Sequence, residues 1–113
     1  MSTCVVMVTA PSEEVAVGLA RVALEERLAA CVNVIGGVRS LFRWEGQIQE
    51  ASEVVLFLKT RVDRVDALRS RVVSNHPYEV PEFVVLPIVE GLEAYLGWIR
   101  AETDPRDDPE VNG

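Results

Sequence analysis

The sequence predicts an α+β domain, on three observations. Short apolar runs at residues 4–9, 54–58 and 83–86 have the length and β-branched content of buried strands. Between them lie stretches whose apolar residues recur at helical spacing, as in Val15, Leu19, Val22 and Ala23. In the middle of the chain, Glu45-Gly46 is a turn signal that folds two long extended arms into a hairpin.

Taken in order, Cys4-Val5-Val6-Met7-Val8-Thr9 is the first strand, and Ala10-Pro11-Ser12 breaks it. Ser12 is placed to cap a helix, and Glu13 and Glu14 sit where the positive end of the helix dipole favours acids. That helix is expected to run to about Leu28. Cys31-Val32-Asn33-Val34-Ile35 opens a second strand, and Gly36-Gly37 reads as a bend or bulge within it. The strand resumes through Trp44, turns at Glu45-Gly46 and returns through Ile48 to Leu58. Thr60, with Asp63 three residues on, is a candidate capping box for the next helix, whose stripe is Val62, Val65, Leu68 and Val72. His76 precedes Pro77, which pushes it out of helical geometry and ends that helix. Phe83-Val84-Val85-Leu86 is a further buried strand, and Leu92, Tyr95, Leu96 and Ile99 mark a short third helix ending near Glu102.

The order β-α-β-β-α-β-α is that of a ferredoxin-like split βαβ unit with an extra C-terminal helix. Each hairpin arm is roughly a dozen residues, about 40 Å long. A single domain of this size has a radius of gyration of only about 13 Å. The hairpin therefore projects from its own domain and calls for another chain to cover it. In this architecture both main helices lie on one face of the sheet. The strands are apolar continuously rather than alternately, which asks for cover on the second face as well. A 49% hydrophobic share and a mean hydropathy of +0.16 in 113 residues agree with burial between subunits.

The net charge of −7 is concentrated at the end of the chain. Residues 102–113 carry five acids (Glu102, Asp104, Asp107, Asp108 and Glu110) against Arg106. The expected division is therefore a folded domain over residues 1–102 and an acidic, disordered tail over 103–113. No basic face suited to nucleic acid is visible, and no apolar run approaches the length of a membrane span. The N-terminus lacks a basic segment followed by an apolar stretch, and Cys4 and Cys31 make no disulfide framework. Reduced thiols in the cytoplasm are the expectation.

The chemistry available is sparse. His76 is the only histidine, in His76-Pro77-Tyr78-Glu79-Val80-Pro81, a loop that two prolines stiffen. It reads either as a rigid presentation of imidazole, phenol and carboxylate or as a plain helix-to-strand turn in which Tyr78 packs and His76 caps helix carbonyls. Spacings for a closed zinc site are absent, while an open or inter-subunit site for a divalent ion such as copper suits imidazole and sulfur donors. Cys31 alone reads as a small core residue as readily as a ligand. Trp44 at the hairpin tip is either an interface anchor or a cross-strand aromatic, and Lys59-Thr60 either offers an ammonium to an anion or ends a strand and caps a helix. With no Gly-rich phosphate loop and no nucleophile elbow, the chain reads as non-enzymatic.

Ala29-Ala30-Cys31-Val32-Asn33, Trp44-Glu45-Gly46, Lys59-Thr60, His76-Pro77-Tyr78-Glu79-Val80-Pro81-Glu82 and Tyr95-Leu96-Gly97-Trp98-Ile99 together resemble the signature of the CutA divalent-cation tolerance family, over residues 4–102. The resemblance implies a ferredoxin-like protomer in a homotrimer with hairpins wrapped between neighbours, and a cytoplasmic role in tolerance of divalent metals, copper in particular. It implies Cys31, His76 and Glu79 as metal-contacting groups, with Trp44, Lys59 and Tyr78 lining a cleft between subunits. Its fold also resembles the nitrogen-regulatory PII signalling proteins, which makes a scaffold for a small anionic metabolite the alternative reading. Gly36 stands where the family commonly has Pro, and Gln47 where it commonly has Lys.

Overall fold

The computed structural model describes residues 2–107. Strand β1 (Thr3–Ala10) leads to helix α1 (Glu13–Glu25), then to the hairpin of β2 (Cys31–Trp44) and β3 (Gln47–Arg61). A 3-10 turn (Val62–Arg64) precedes α2 (Val65–Asn75), followed by β4 (Phe83–Pro87), α3 (Glu93–Glu102) and a last 3-10 turn (Pro105–Asp107). The sheet order is β2-β3-β1-β4, with every neighbouring pair antiparallel. This is the ferredoxin-like α+β fold with a C-terminal helix that the element order predicts.

Residues directly opposite in an antiparallel ladder share a face. On one face lie Cys4 with Thr60, Val6 with Leu58, and Val8 with Leu56, all wholly buried. Against them pack Ala16, Leu19, Ala20 and Ala23 of α1 and Leu68 and Val72 of α2, forming the core. The other face carries Val5, Met7 and Thr9 of β1, Val55, Phe57 and Lys59 of β3, and Cys31, Asn33 and Ile35 of β2. Helix α3 covers only the Lys59 end of this second face, where its Ile99 is fully buried.

Local chemistry explains the boundaries. Ser12 accepts from the Val15 N–H at 3.2 Å, so it caps α1 as expected. The helix stops at Glu25, short of Leu28, because Arg27 takes a left-handed φ of 59°. The Arg27 N–H then donates to Leu24 O and Leu28 N–H to Ala23 O at 2.8 Å, a Schellman closure that also buries Leu28. Thr60 does not cap α2. Pairing of Thr60 with Cys4 and of Arg61 with Thr3 keeps both in β3, and the Asp63 carboxylate instead accepts two hydrogen bonds from Arg61, at 2.9 and 2.8 Å. His76 is extended (φ −93°, ψ 138°) and ends α2, as the following proline dictates.

Two further expectations change. Within the single protomer β4 is not a buried strand: it is a five-residue edge of the sheet, and Val84, Val85 and Leu86 are exposed. The fold also continues past Glu102, since Thr103 and Asp104 are buried and Asp104 bonds the Arg106 guanidinium and lies 3.6 Å from that of Arg61. The expected tail from residue 108 onward lies outside the described residues.

The hairpin is as long as expected, with arms of 14 and 15 residues, and the longest dimension of the protomer is 48 Å. Its tip is a two-residue turn with positive φ at Glu45 (50°) and Gly46 (77°), the geometry that matches strand twist. At Gly37 (φ 73°) the register shifts between Ile35 and Val38, so the glycine pair is a β-bulge. The inserted residue has a positional consequence. Beyond it the even-numbered side chains, Val38, Ser40, Phe42 and Trp44, join Cys31, Asn33 and Ile35 on the face opposite the main helices.

Candidate functional site

Two groups of functional side chains lie on that second face, at opposite ends of the sheet. The first gathers at the hairpin. Behind Pro77, the loop after α2 brings Tyr78 against Glu53, whose Oε2 accepts from the phenol at 3.0 Å. The Tyr78 ring also contacts the His76 ring, at 4.7 Å between centroids. Burial, and then the hydrogen bond to the Glu53 carboxylate, push the Tyr78 phenol above its ordinary range. Tyr78 shares with Phe42, Trp44, Gln49, Glu79 and Val80 an open cleft of about 490 Å³. A second recess of about 540 Å³ shares the same aromatic wall and adds Thr9, Arg39, Glu53 and Glu82.

His76 is the keystone of this loop and is buried. Its Nε2 lies 2.7 Å from the Thr9 carbonyl, which can only accept, so Nε2 carries the proton. Its Nδ1 accepts from the Tyr78 N–H at 3.1 Å. Both ring nitrogens are thus occupied by backbone, and the lone pair a metal would need is already engaged. The geometry gives His76 a turn-forming role, but the carbonyl it meets belongs to Thr9 of β1 and not to a helix.

The second group is centred on Lys59. Its Nζ donates to Asn33 Oδ1 at 2.7 Å, lies 4.0 Å from the Cys31 Sγ, and stands 5.8 Å from the centre of the Tyr95 ring. Cys31 is half-buried on the second face, whereas Cys4 lies in the helix-side core, where burial pushes its thiol up.

The sequence-predicted sets therefore divide. Trp44 and Tyr78 do come together, but Lys59 does not join them. Cys31 stands opposite Lys59, and Lys59 pairs with Val5; His76 anchors at Thr9, which pairs with Val55. The two rows are four residues apart, about 13 Å along the strand. Within one protomer Cys31, His76 and Glu79 consequently do not form one metal site, and among the described residues no three His, Cys, Asp or Glu side chains converge. Sequence reasoning missed Phe42, Glu53, Asn33 and Tyr95. Phe42 was accessible through its two-residue spacing from Trp44, and Asn33 through the same spacing from Cys31. Glu53 carries no local signal, because only the bulge and the His76 loop bring Tyr78 to it.

Fold and motifs together define a ferredoxin-like protomer whose motifs resemble those of the CutA divalent-cation tolerance family, and comparison with known proteins agrees. The family model of the CutA1 divalent ion tolerance protein matches residues 4–102, and the chain belongs to this family. The chain is 50% identical over 99 residues to the divalent-cation tolerance protein CutA of Thermus thermophilus, covering 88% of this chain and 96% of that one. It is 45% identical over 107 residues to human Protein CutA, covering 95% of this chain but only 60% of the human protein's length. Among solved structures, CutA1 from Oryza sativa superposes with a TM-score of 0.90 at 42% identity, over 93% of this chain and 96% of that one. The Thermus thermophilus structure gives a TM-score of 0.88 at 48% identity, over 89% and 98%.

Proposed function

We propose that the chain works as a homotrimer in divalent-cation tolerance, acting by binding rather than by catalysis, with copper as the preferred ion and the ligand set completed between protomers. The observation that carries this reading is the position of Cys31. Its thiol is half-buried beside Lys59 and Asn33 on the second face, and among the described residues no three His, Cys, Asp or Glu side chains converge, so the reading takes the further donors from a neighbouring chain. That face also exposes Ile35, Val84, Leu86, Tyr95 and Trp98, an apolar patch of the kind that marks a protein interface. A thiolate suits copper better than the harder divalent ions. Glu79, exposed and without an ion pair among the described residues, is the carboxylate candidate, while His76 serves the loop instead of the metal.

The same reading keeps the cytoplasm as the compartment, since Cys4 and Cys31 lie on opposite faces of the sheet and are both free. No helix among the described residues is long and apolar enough to cross a membrane. The anionic-metabolite alternative gains no support from the hairpin cleft, because Lys59 lies outside it.

Copper titration of the wild type, Cys31→Ser, Glu79→Gln and His76→Ala is the test. Cys31→Ser should lose the tight site and Glu79→Gln should weaken it. His76→Ala, where it remains folded, should bind as the wild type does. Unchanged affinity and stoichiometry in Cys31→Ser would refute the assignment.

A further inference from the structure

One charge beside the assigned thiol has no part in the ion-binding account so far. Lys59 lies directly opposite Cys31 in the β2–β3 ladder, so the two side chains remain neighbours wherever the hairpin is paired. Its Nζ is 4.0 Å from the Cys31 Sγ, 2.7 Å from Asn33 Oδ1 and 5.8 Å from the centre of the Tyr95 ring. An amide oxygen and a ring face solvate the ammonium without cancelling its charge. Among the described residues no carboxylate pairs with it. Lys59 is also half-buried, where a charge acts more strongly than in bulk water.

We infer, resting on the proposed assignment of Cys31 and Glu79 as ligands, that Lys59 is the specificity residue of that site, restricting it to a soft monovalent ion, cuprous copper, against soft divalent ions. A metal is bound by the thiolate form of cysteine, so the thiolate and the carboxylate together bring two negative charges. The ammonium cancels one of them. A monovalent ion then leaves the site neutral, whereas a divalent ion leaves a net positive charge in a partly buried place, which is unfavourable. Ligand softness acts in the same direction, since thiolates select cuprous copper. Zinc asks for four donors, and among the described residues no three His, Cys, Asp or Glu side chains converge. The ion enters already reduced, the state that matches the free thiols of Cys4 and Cys31.

A purely structural Lys59 would hold Asn33 and pack on Tyr95, and its loss would alter the binding of every ion alike. A charge-selecting Lys59 acts on each ion in proportion to that ion's charge. The two roles are therefore separated by the ratio of two affinities, and either affinity alone is uninformative.

The test titrates the full-length, assembled protein with two soft, redox-stable ions of different charge: silver(I), standing in for cuprous copper, and cadmium(II). Lys59→Met keeps the aliphatic stem and removes the charge, so the silver-to-cadmium affinity ratio should fall about tenfold. Lys59→Gln, which keeps a donor for Asn33, should lower the ratio in the same direction, and serves where Lys59→Met fails to assemble. Lys59→Arg should hold the ratio within about threefold of the wild type, because the charge is kept. Cys31→Ser is the control. If it leaves both affinities unchanged, Cys31 is no ligand, and the metal reading and this inference are overturned together. If Cys31→Ser abolishes binding while both neutral Lys59 variants keep the wild-type ratio, the metal reading stands and this inference alone is overturned.

Discussion

The two faces of the sheet are made by the same strands, and they end in different states. On the helix side, Val6, Val8, Leu56 and Leu58 are fully buried by α1 and α2 of their own chain. On the opposite side, Ile35, Val84 and Leu86 are all more than 40% exposed, although they are as apolar as their neighbours across the sheet. The difference shows which contacts a single chain can complete. Two helices suffice for one face. One short helix, α3, reaches only the Lys59 end of the other, and the hairpin extends past both. The covered face therefore governs folding of the protomer, and in the proposed homotrimer the open face is the one left for association.

This contrast can be broken from either side. The largest effect is expected in the covered core: Leu56→Ala, at a fully buried position, should cost about 2–5 kcal/mol in denaturant unfolding. A loss below about 1 kcal/mol would mean that the core is not where the protomer's stability resides.

His76→Gln tests the loop joining the two faces. It removes the bracket from the Thr9 carbonyl to the Tyr78 N–H and should cost about 1–3 kcal/mol. Hydrogen exchange should accelerate around residues 76–80 more than in α1. Uniform exchange across both regions would contradict the bracket.

Ser12→Ala should cost about 1 kcal/mol through loss of the cap on α1, with no change in oligomer mass. A mass change would tie the covered face to association and blur the division.

The smallest expected effect lies in acid. The Arg106 guanidinium first, with Arg106 N–H and Arg61 adding to it, holds the Asp104 carboxyl well below the usual carboxylate range. A depressed folded-state pKa contributes stability that is present above the unfolded value of about 3.9 and is lost as pH falls below it. Asp104→Asn should therefore flatten the acid limb of the stability profile by lowering stability slightly at neutral pH, with the difference from the wild type closing as pH falls below about 3.9. An unaltered acid limb would exclude Asp104 as its source.

Much of this division is legible in the sequence. Continuous apolar runs announce strands needing two covers, and the Gly36-Gly37 and Glu45-Gly46 pairs locate the bulge and the turn. The boundaries that escaped are those set by tertiary pairing. Thr60 and Asp63 have the spacing of a capping box, yet partners on β1 hold Thr60 in a strand. Phe83–Leu86 has the composition of a central strand, and only the sheet order makes it an edge. The site was less legible than the fold for the same reason. Cys31 and His76 stand in motifs that read as one ligand set, but the register of β1 and β3 sets them about 13 Å apart along the sheet. Glu53, which fixes Tyr78, becomes a neighbour only through the bulge and the folded-over loop.

The central claim is that the open face is the assembly face. Sedimentation equilibrium of the wild type beside Leu86→Glu tests it most directly, with circular dichroism confirming the fold of both. Leu86 lies mid-face and exposed in the protomer, so a glutamate there costs the isolated chain little, while burying its charge between chains is costly. The wild type is expected at three times the 12.5 kDa chain mass, and Leu86→Glu at a lower mass with its secondary structure intact. A monomeric wild type, or a variant that keeps the wild-type mass, would contradict the account.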